Sequence, residues 1–507
     1  MADTVGHSGD ARVAWRVLVA FGALALSQST MPVGDARAQL PTASPVRIGG
    51  RIEGYGIARF DDASPRQLPQ ARIDLHAEQS IGSRLRWRIA TIGLWGGPPE
   101  DAHAGVFDLG HSFQNLSPSL EFEEAYVDYR GEAFDLRVGK QKFFWGRLDS
   151  VQPNDLLNPR QYEDPFLMDE RELKIGVPAI AFTWLLPRAW RETLPDESRF
   201  TIAWEPIAVP WRFPLAEERW FAPAARVTPR LSVGELEGTP CPCDVAVEQT
   251  LRNAPPPARQ FDNGNLGARF SARLGETDVA LVYYDGFDPA PNFSVPVRVA
   301  VGEAEPGAVV PVTAFTQLVP AYRRFRSLGA DAATPVGPLT VRAEAAWRFR
   351  RPYPSAVQEI TNQILGDPAL VDHLVRGETV EVPAFAERDA VEWGIGADTV
   401  LDGFVPLVEL YQLILLHNDR RLLVRDVDTR LAANLRKRWM SDRLEGQLIA
   451  LWGIESGYEL LRGQLAYEVR EGVQVVAGVL GIFGDRNSLI GQYDRNSEAY
   501  ARIRYTF

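Results

Sequence analysis

Between Val138 and Ile180 the chain reads VGKQKFFWGRLDSVQPNDLLNPRQYEDPFLMDERELKIGVPAI. Arg147, Asp149, Asp155, Arg160, Asp164, Asp169, Glu170, Arg171 and Lys174 give it charges of both signs. Pro153, Pro159 and Pro165 stiffen it by fixing φ, and Trp145, Tyr162 and Phe166 add aromatic surface. Such a segment is poorly suited to waving in solvent. Carboxylates and guanidinium groups held at close quarters discriminate between charged and polar solutes by field and by fit. The stretch therefore reads as a constriction, built from Trp145, Arg147, Asp149, Asp155, Arg160, Tyr162, Asp164, Asp169, Glu170 and Arg171.

A second group of charges recurs at every other residue of short amphipathic segments. Arg72, Asp74, Glu78, Arg86, Arg88, Arg137, Arg269, Arg273, Arg342, Glu344, Arg348, Arg436, Arg502 and Arg504 belong to it. Two readings stay open. The charges pair across neighbouring strands and hold a wall, or they line a wet path with arginine tracks that draw anions. Paired charges can do both. Pore-lining roles fall to Arg72, Asp74, Arg86, Arg88, Arg137, Arg269, Arg273, Arg342, Arg502 and Arg504.

Covalent catalysis finds no support. An activated nucleophile needs a base beside it, and His76, His103, His111, His373 and His417 sit in no recognisable motif; no Gly-x-Ser-x-Gly occurs. Cys241 and Cys243 are the only cysteines, in a Cys-Pro-Cys run. Two thiolates are too few for a structural zinc site, which takes four ligands. No metal site and no cofactor is expected.

The elements that must position these charges are strands. Gln70–Gln79 sets Ala71, Ile73, Leu75 and Ala77 against Arg72, Asp74, His76 and Glu78. A strand's side chains alternate between faces, so one face is apolar and the other polar. From Ile48 to Phe507 about eighteen such segments occur, each near the ten residues that a tilted membrane strand needs. Their connections alternate long and short. The short ones include Gly131-Glu132, Gly275-Glu276 and Met440-Ser441, and the long ones include 95–119, 146–174, 210–264, 286–324 and 350–389. This is the pattern of a transmembrane antiparallel β-barrel with short periplasmic turns and long outer loops. Eighteen strands is the expected count, with sixteen as the fallback because the count must be even. The third outer loop, 146–174, is expected to fold into the lumen. The loop 350–389 carries two helix signals, one capped by Ser355 and one started by Asp367-Pro368.

The segment Ser497–Phe507 closes the argument. Ala499, Ala501, Ile503, Tyr505 and Phe507 share one face, and Glu498, Tyr500, Arg502 and Arg504 the other. Tyr505 and Phe507 are expected to lie where a final strand pairs with the first. The start of the chain reads as a secretion signal covering residues 1–38: Arg12 and Arg16, then the apolar Val17–Leu26, then Ala36-Arg37-Ala38. Residues 39–507 form the barrel. The formal charge of −12 argues against a nucleic-acid partner. The expected place is the outer membrane of a Gram-negative bacterium.

The run Gly139-Lys140-Gln141, then Trp145-Gly146 with Asp149, Pro153 with Asp155, and Asn158-Pro159, resembles the pattern of a poorly characterised family of Gram-negative outer-membrane β-barrels, similar to porin-like and alginate-export proteins. The resemblance implies fold and place rather than substrate. Some relatives are thought to work beside inner-membrane export machinery, which keeps a lipid or hydrophobic-compound exporter with a periplasmic or inner-membrane partner as the alternative. The leading expectation is a channel for a small polar or charged solute. Outer-membrane lipid and, through the C-terminal strand, the barrel assembly machinery are the expected partners.

Overall fold

A backbone inside a bilayer must satisfy every N–H and C=O internally, so a membrane sheet has to close on itself. The computed structural model describes residues 43–60, 67–96, 119–162, 166–167, 170–186, 194–213, 220, 230–236, 239–251, 263–302, 311–355, 357–417, 421–486 and 488–507. The predicted signal, Asp164 and Asp169 lie outside them, as do most of 187–198 and the side chains of Glu170, Cys241 and Cys243.

The strands, in chain order, are β1 (Arg47–Arg59), β2 (Gln67–Ile81), β3 (Leu85–Gly96), β4 (Ser119–Arg130), β5 (Phe134–Gln141), β6 (Val177–Leu185), β7 (Asp196–Glu205), β8 (Arg230–Leu236), β9 (Thr239–Leu251), β10 (Asn265–Leu274), β11 (Thr277–Phe287), β12 (Asn292–Val301), β13 (Pro311–Ala321), β14 (Arg324–Val336), β15 (Leu339–Pro354), β16 (Val380–Pro383), β17 (Phe385–Asp398), β18 (Phe404–Leu415), β19 (Val427–Trp439), β20 (Leu444–Gly453), β21 (Tyr458–Arg470), β22 (Val473–Gly484) and β23 (Glu498–Thr506). Eighteen of them form one sheet, each paired antiparallel with the next barrel strand in sequence. β23 returns to β1 in the register Arg51↔Thr506 to Arg59↔Glu498. Phe507 and Gly50 exchange both backbone hydrogen bonds, at 3.0 and 3.1 Å, and complete the closure.

The two faces differ as the alternation requires. On β15, Glu344, Ala346 and Arg348 are buried, whereas Trp347 and Phe349 are exposed. Around the outside, Ile52, Leu75, Val127, Ile180, Leu281, Leu328, Val408, Leu448, Leu465, Val479 and Ile503 all stand exposed. A continuous exposed apolar belt has one physical reason, contact with lipid. Trp439, Tyr505 and Phe507 sit exposed near strand ends, where rings with one wet edge are stable, whereas the exposed Trp347 lies midway along β15. Tyr458 departs from that pattern: it points inward and is buried against Leu460, Leu480 and Ile482.

The remaining five strands make a second sheet in the order β16-β12-β13-β9-β8, with β9 and β13 parallel. They lie in stretches that the sequence presents as plain outer loops. Val295, Val297 and Leu318 of this sheet pack on Ile360, Ile364 and Leu374, from helices Val357–Leu365 and Pro368–Val375. The second helix starts as expected, with Asp367 accepting a hydrogen bond from the Ala369 amide at 3.0 Å and Pro368 in its first turn.

Candidate pore constriction

The loop from Lys142 to Gly176 is tied at its neck. Asn158 accepts from the Phe143 amide at 2.5 Å and donates to the carbonyls of Gln141 and Ile175, at 3.2 and 2.8 Å. The Lys174 ammonium, fully buried, pairs with Asp155 and donates to the Phe143 carbonyl at 2.9 Å. Gly139 precedes the neck with φ +129°, and a Cβ there would stand 2.2 Å from the Ala125 carbonyl oxygen. The Gly-Lys-Gln and Asn-Pro parts of the motif are therefore the joint that turns the loop off β5.

Beyond the neck the loop meets the inward faces of distant strands. Glu344 of β15 accepts from the amides of Arg147, Leu148 and Asn154, the last two at 2.7 and 3.1 Å. Glu409 of β18 takes the Asp149 amide on one oxygen and the Ser150 amide on the other, both at 2.7 Å. Arg269 of β10 donates to the Trp145 carbonyl, and Arg348 of β15 to the Pro153 carbonyl. The Arg147 guanidinium bonds Asp331 of β14 at 2.9 Å, and Asn154 donates to the Ala330 carbonyl at 2.9 Å. Glycines on the wall give the space: a Cβ on Gly329 would lie 1.8 Å from Asn154 Oδ1, and one on Gly394 2.6 Å from Leu148.

The returning limb reaches the other side. Glu172 lies 2.5 Å from Arg51 of β1 and 3.7 Å from Arg72 of β2. Arg462 of β21 and Arg502 of β23 donate to the carbonyls of Phe166 and Leu167, at 2.7 and 2.8 Å. Leu167 sits among Ile57, Leu460, Leu480, Ile482 and Trp220, with Phe166 against the same cluster. One loop thus touches β10, β14, β15 and β18 on one side and β1, β2, β21 and β23 on the other. It lies across the lumen.

The electrostatics follow from this suspension. A buried carboxylate is costly unless its lone pairs are filled, and Glu344 and Glu409 fill theirs with five loop amides. Arg348 and Glu392, both buried, pair at 2.9 Å, and Arg212 grips Glu121 through two bonds of 2.6 and 2.7 Å. These interactions fix the loop rather than leaving it charged and loose.

The predicted residues divide accordingly. Asp149 remains water-facing, with its side chain 61% exposed and 3.6 Å from Arg342. Arg342 also reaches Asp398 at 2.5 Å. Asp155 is turned into the loop, 1% exposed, and serves the neck. Trp145 packs against Phe143 and over Gly267. Tyr162 stacks on Phe213 at 5.5 Å between centroids and packs tilted against Trp211 at 4.9 Å. The Arg160 carbonyl accepts from the Arg212 amide at 2.9 Å, and the Arg171 guanidinium lies over Phe144.

The wall residues all face inward, and most are paired. Arg72 meets Asp74 at 2.8 Å; Arg86 and Arg88 share Glu78; Arg137 reaches Asp128 at 3.4 Å. Arg273 spans Asp278 and Glu197, and Arg502 and Arg504 share Glu53. Glu409, Glu172 and Asp331, which hold the loop, were not singled out by type and spacing. The signal available for Glu409 is a lone carboxylate in the apolar strand FVPLVELYQLIL. No metal-binding cluster occurs among the described residues.

Several solved outer-membrane structures resemble the barrel at low identity. A mutant of the Rh. blastica porin shares 10% identity with a TM-score of 0.38, covering 91% of this chain and 100% of that one. The Acinetobacter baumannii channel DcaP shares 10% with a TM-score of 0.38, covering 94% and 100%. Acinetobacter baumannii OccAB1 shares 8% with a TM-score of 0.46, covering 93% and 98%. No curated protein matches the sequence. A family model described as "Protein of unknown function (DUF1302)" matches residues 110–421, which span the neck, the suspended loop and the wall carboxylates that hold it. With a closed antiparallel barrel of eighteen strands around that loop, the chain belongs to the DUF1302 family.

Proposed function

We propose that this protein is a porin-like channel of the Gram-negative outer membrane that passes a small polar or charged solute, with loop 146–174 as its constriction. The observation that carries the reading is the suspension of the loop. Its backbone is held by Glu344 and Glu409 while the Asp149 carboxylate and the Arg342 guanidinium still meet water. A fixed pair of opposite charges in a narrowed lumen sorts solutes by charge and size. Lipid surrounds the apolar belt, and the strand ending in Tyr505 and Phe507 is what the barrel assembly machinery would engage.

The lipid-export alternative calls for an apolar patch in the lumen. Such a patch exists at Ile57, Leu460, Leu480 and Ile482, but Leu167, Trp220 and Ile490 fill it. It therefore supports packing rather than passage. Reversal potentials across a salt gradient test the proposal. Asp149→Ala shifts the preference toward anions and Arg342→Ala toward cations. Unchanged reversal potentials in both variants would remove these residues from the path.

A further inference from the structure

The outward face near the periplasmic end of β18–β22 combines a trough with an unpaired cation. Gly446, Gly463 and Ala477 lie beside the exposed Leu448, Leu465 and Val479 on neighbouring strands. Small residues next to large ones leave a groove of about 650 Å³, lined mostly by apolar atoms. That volume falls within the roughly 300–1,000 Å³ of single-ligand sites. At the lower end of the groove stands Lys437. It pairs in register with the outward Phe404, and its ammonium lies 3.7 Å from that ring's centroid and 6.0 Å from Trp439's.

Lys437 differs from the other lysines. Lys142 and Lys174 are paired inside with Glu123 and Asp155, and Lys140 donates to the Phe122 carbonyl. No described carboxylate reaches Lys437, which sits two residues before the exposed Trp439 at the strand end. A lysine on the lipid face costs about 2–4 kcal/mol at midplane and about 0–1 near the interface. Rings that hold the ammonium at that level leave it facing headgroups, where an anion neutralises it.

We propose that this groove binds one phospholipid of the inner leaflet, an acyl chain lying over Gly446, Gly463 and Ala477 and the phosphate against Lys437. The site depends on the barrel alone, and it stands or falls separately from the channel reading. A second copy on a two-fold axis through the groove is disfavoured, because it would bring two Lys437 ammonium groups together.

Native mass spectrometry of the full protein in neutral detergent, with phosphatidylglycerol added, tests the site. The wild type and Lys437→Arg retain one lipid that survives activation. Lys437→Gln lowers its retention about tenfold, the loss of one charge-assisted contact, and Gly463→Leu removes it. Heat-dependent gel mobility checks that every variant is folded. Equal retention by Lys437→Gln would overturn the proposal, as would equal retention of neutral diacylglycerol. A mass doubling abolished by Gly463→Leu would also overturn it, because the groove would then be an interface between copies.

Discussion

Glu344 and Glu409 spend their charge on backbone amides rather than on a cation. Hydrogen bonds to an ionised acceptor are roughly twice as strong as neutral ones. Together the two carboxylates hold the stretch from Arg147 to Asn154 against one side of the wall, from β15 and from β18 two strands along. Glu344→Gln keeps the shape and removes the charge, which weakens this hold by about 1–3 kcal/mol. The expected outcome is amide hydrogen exchange at Leu148 and Asn154 about 5- to 150-fold faster than in the wild type. Exchange unchanged at these amides would mean that packing, not Glu344, holds the loop. Residue type alone suggested that the acids of the loop itself form the constriction. Asp155 shows why type is insufficient: its charge is consumed by Lys174 within the neck, whereas Asp149, six residues earlier, stays in water.

At the scale of elements, legibility followed the solvent. All eighteen barrel strands could be read because lipid outside and charge inside force strict alternation, as in Arg342, Glu344 and Arg348 against Ala345, Trp347 and Phe349. The sheet of β8, β9, β12, β13 and β16 lies in the outer loops, where no bilayer imposes that contrast. Pro296 removes a ladder donor from NFSVPVRVAV, and the segment lies inside the long connection 286–324, so β12 carries no clear strand signal. The loop's entry into the lumen was legible from its prolines and charges; its route was not, because the wall glycines that admit it, Gly329 and Gly394, look like ordinary strand residues. The neck supplies the test at this scale. Gly139→Ala puts a Cβ against the Ala125 carbonyl at a φ that side chains rarely adopt, a strain of about 1–3 kcal/mol. The variant is expected to lose its folded gel mobility at a lower temperature than the wild type. Equal thermal resistance would show that the β4–β5 joint relaxes freely.

For the whole molecule, closure decides everything else. The pairing of β23 with β1 turns an amphipathic sheet into a wall with a lipid face and a wet face. The long–short alternation places the second sheet and the two helices at one end. The suspended loop then divides the lumen, with exposed charge left at Asp149 and the half-buried Arg342 beside it. The proposed function requires that this divided lumen conducts. Single-channel recording of the purified protein in planar bilayers tests it most directly, for the wild type and for a Glu344→Ala/Glu409→Ala double variant. Small, discrete conductance steps are expected from the wild type, and larger or noisier steps once the loop is released. A barrel shown to be folded and inserted that stays silent in both forms, at every salt concentration and voltage, would contradict it.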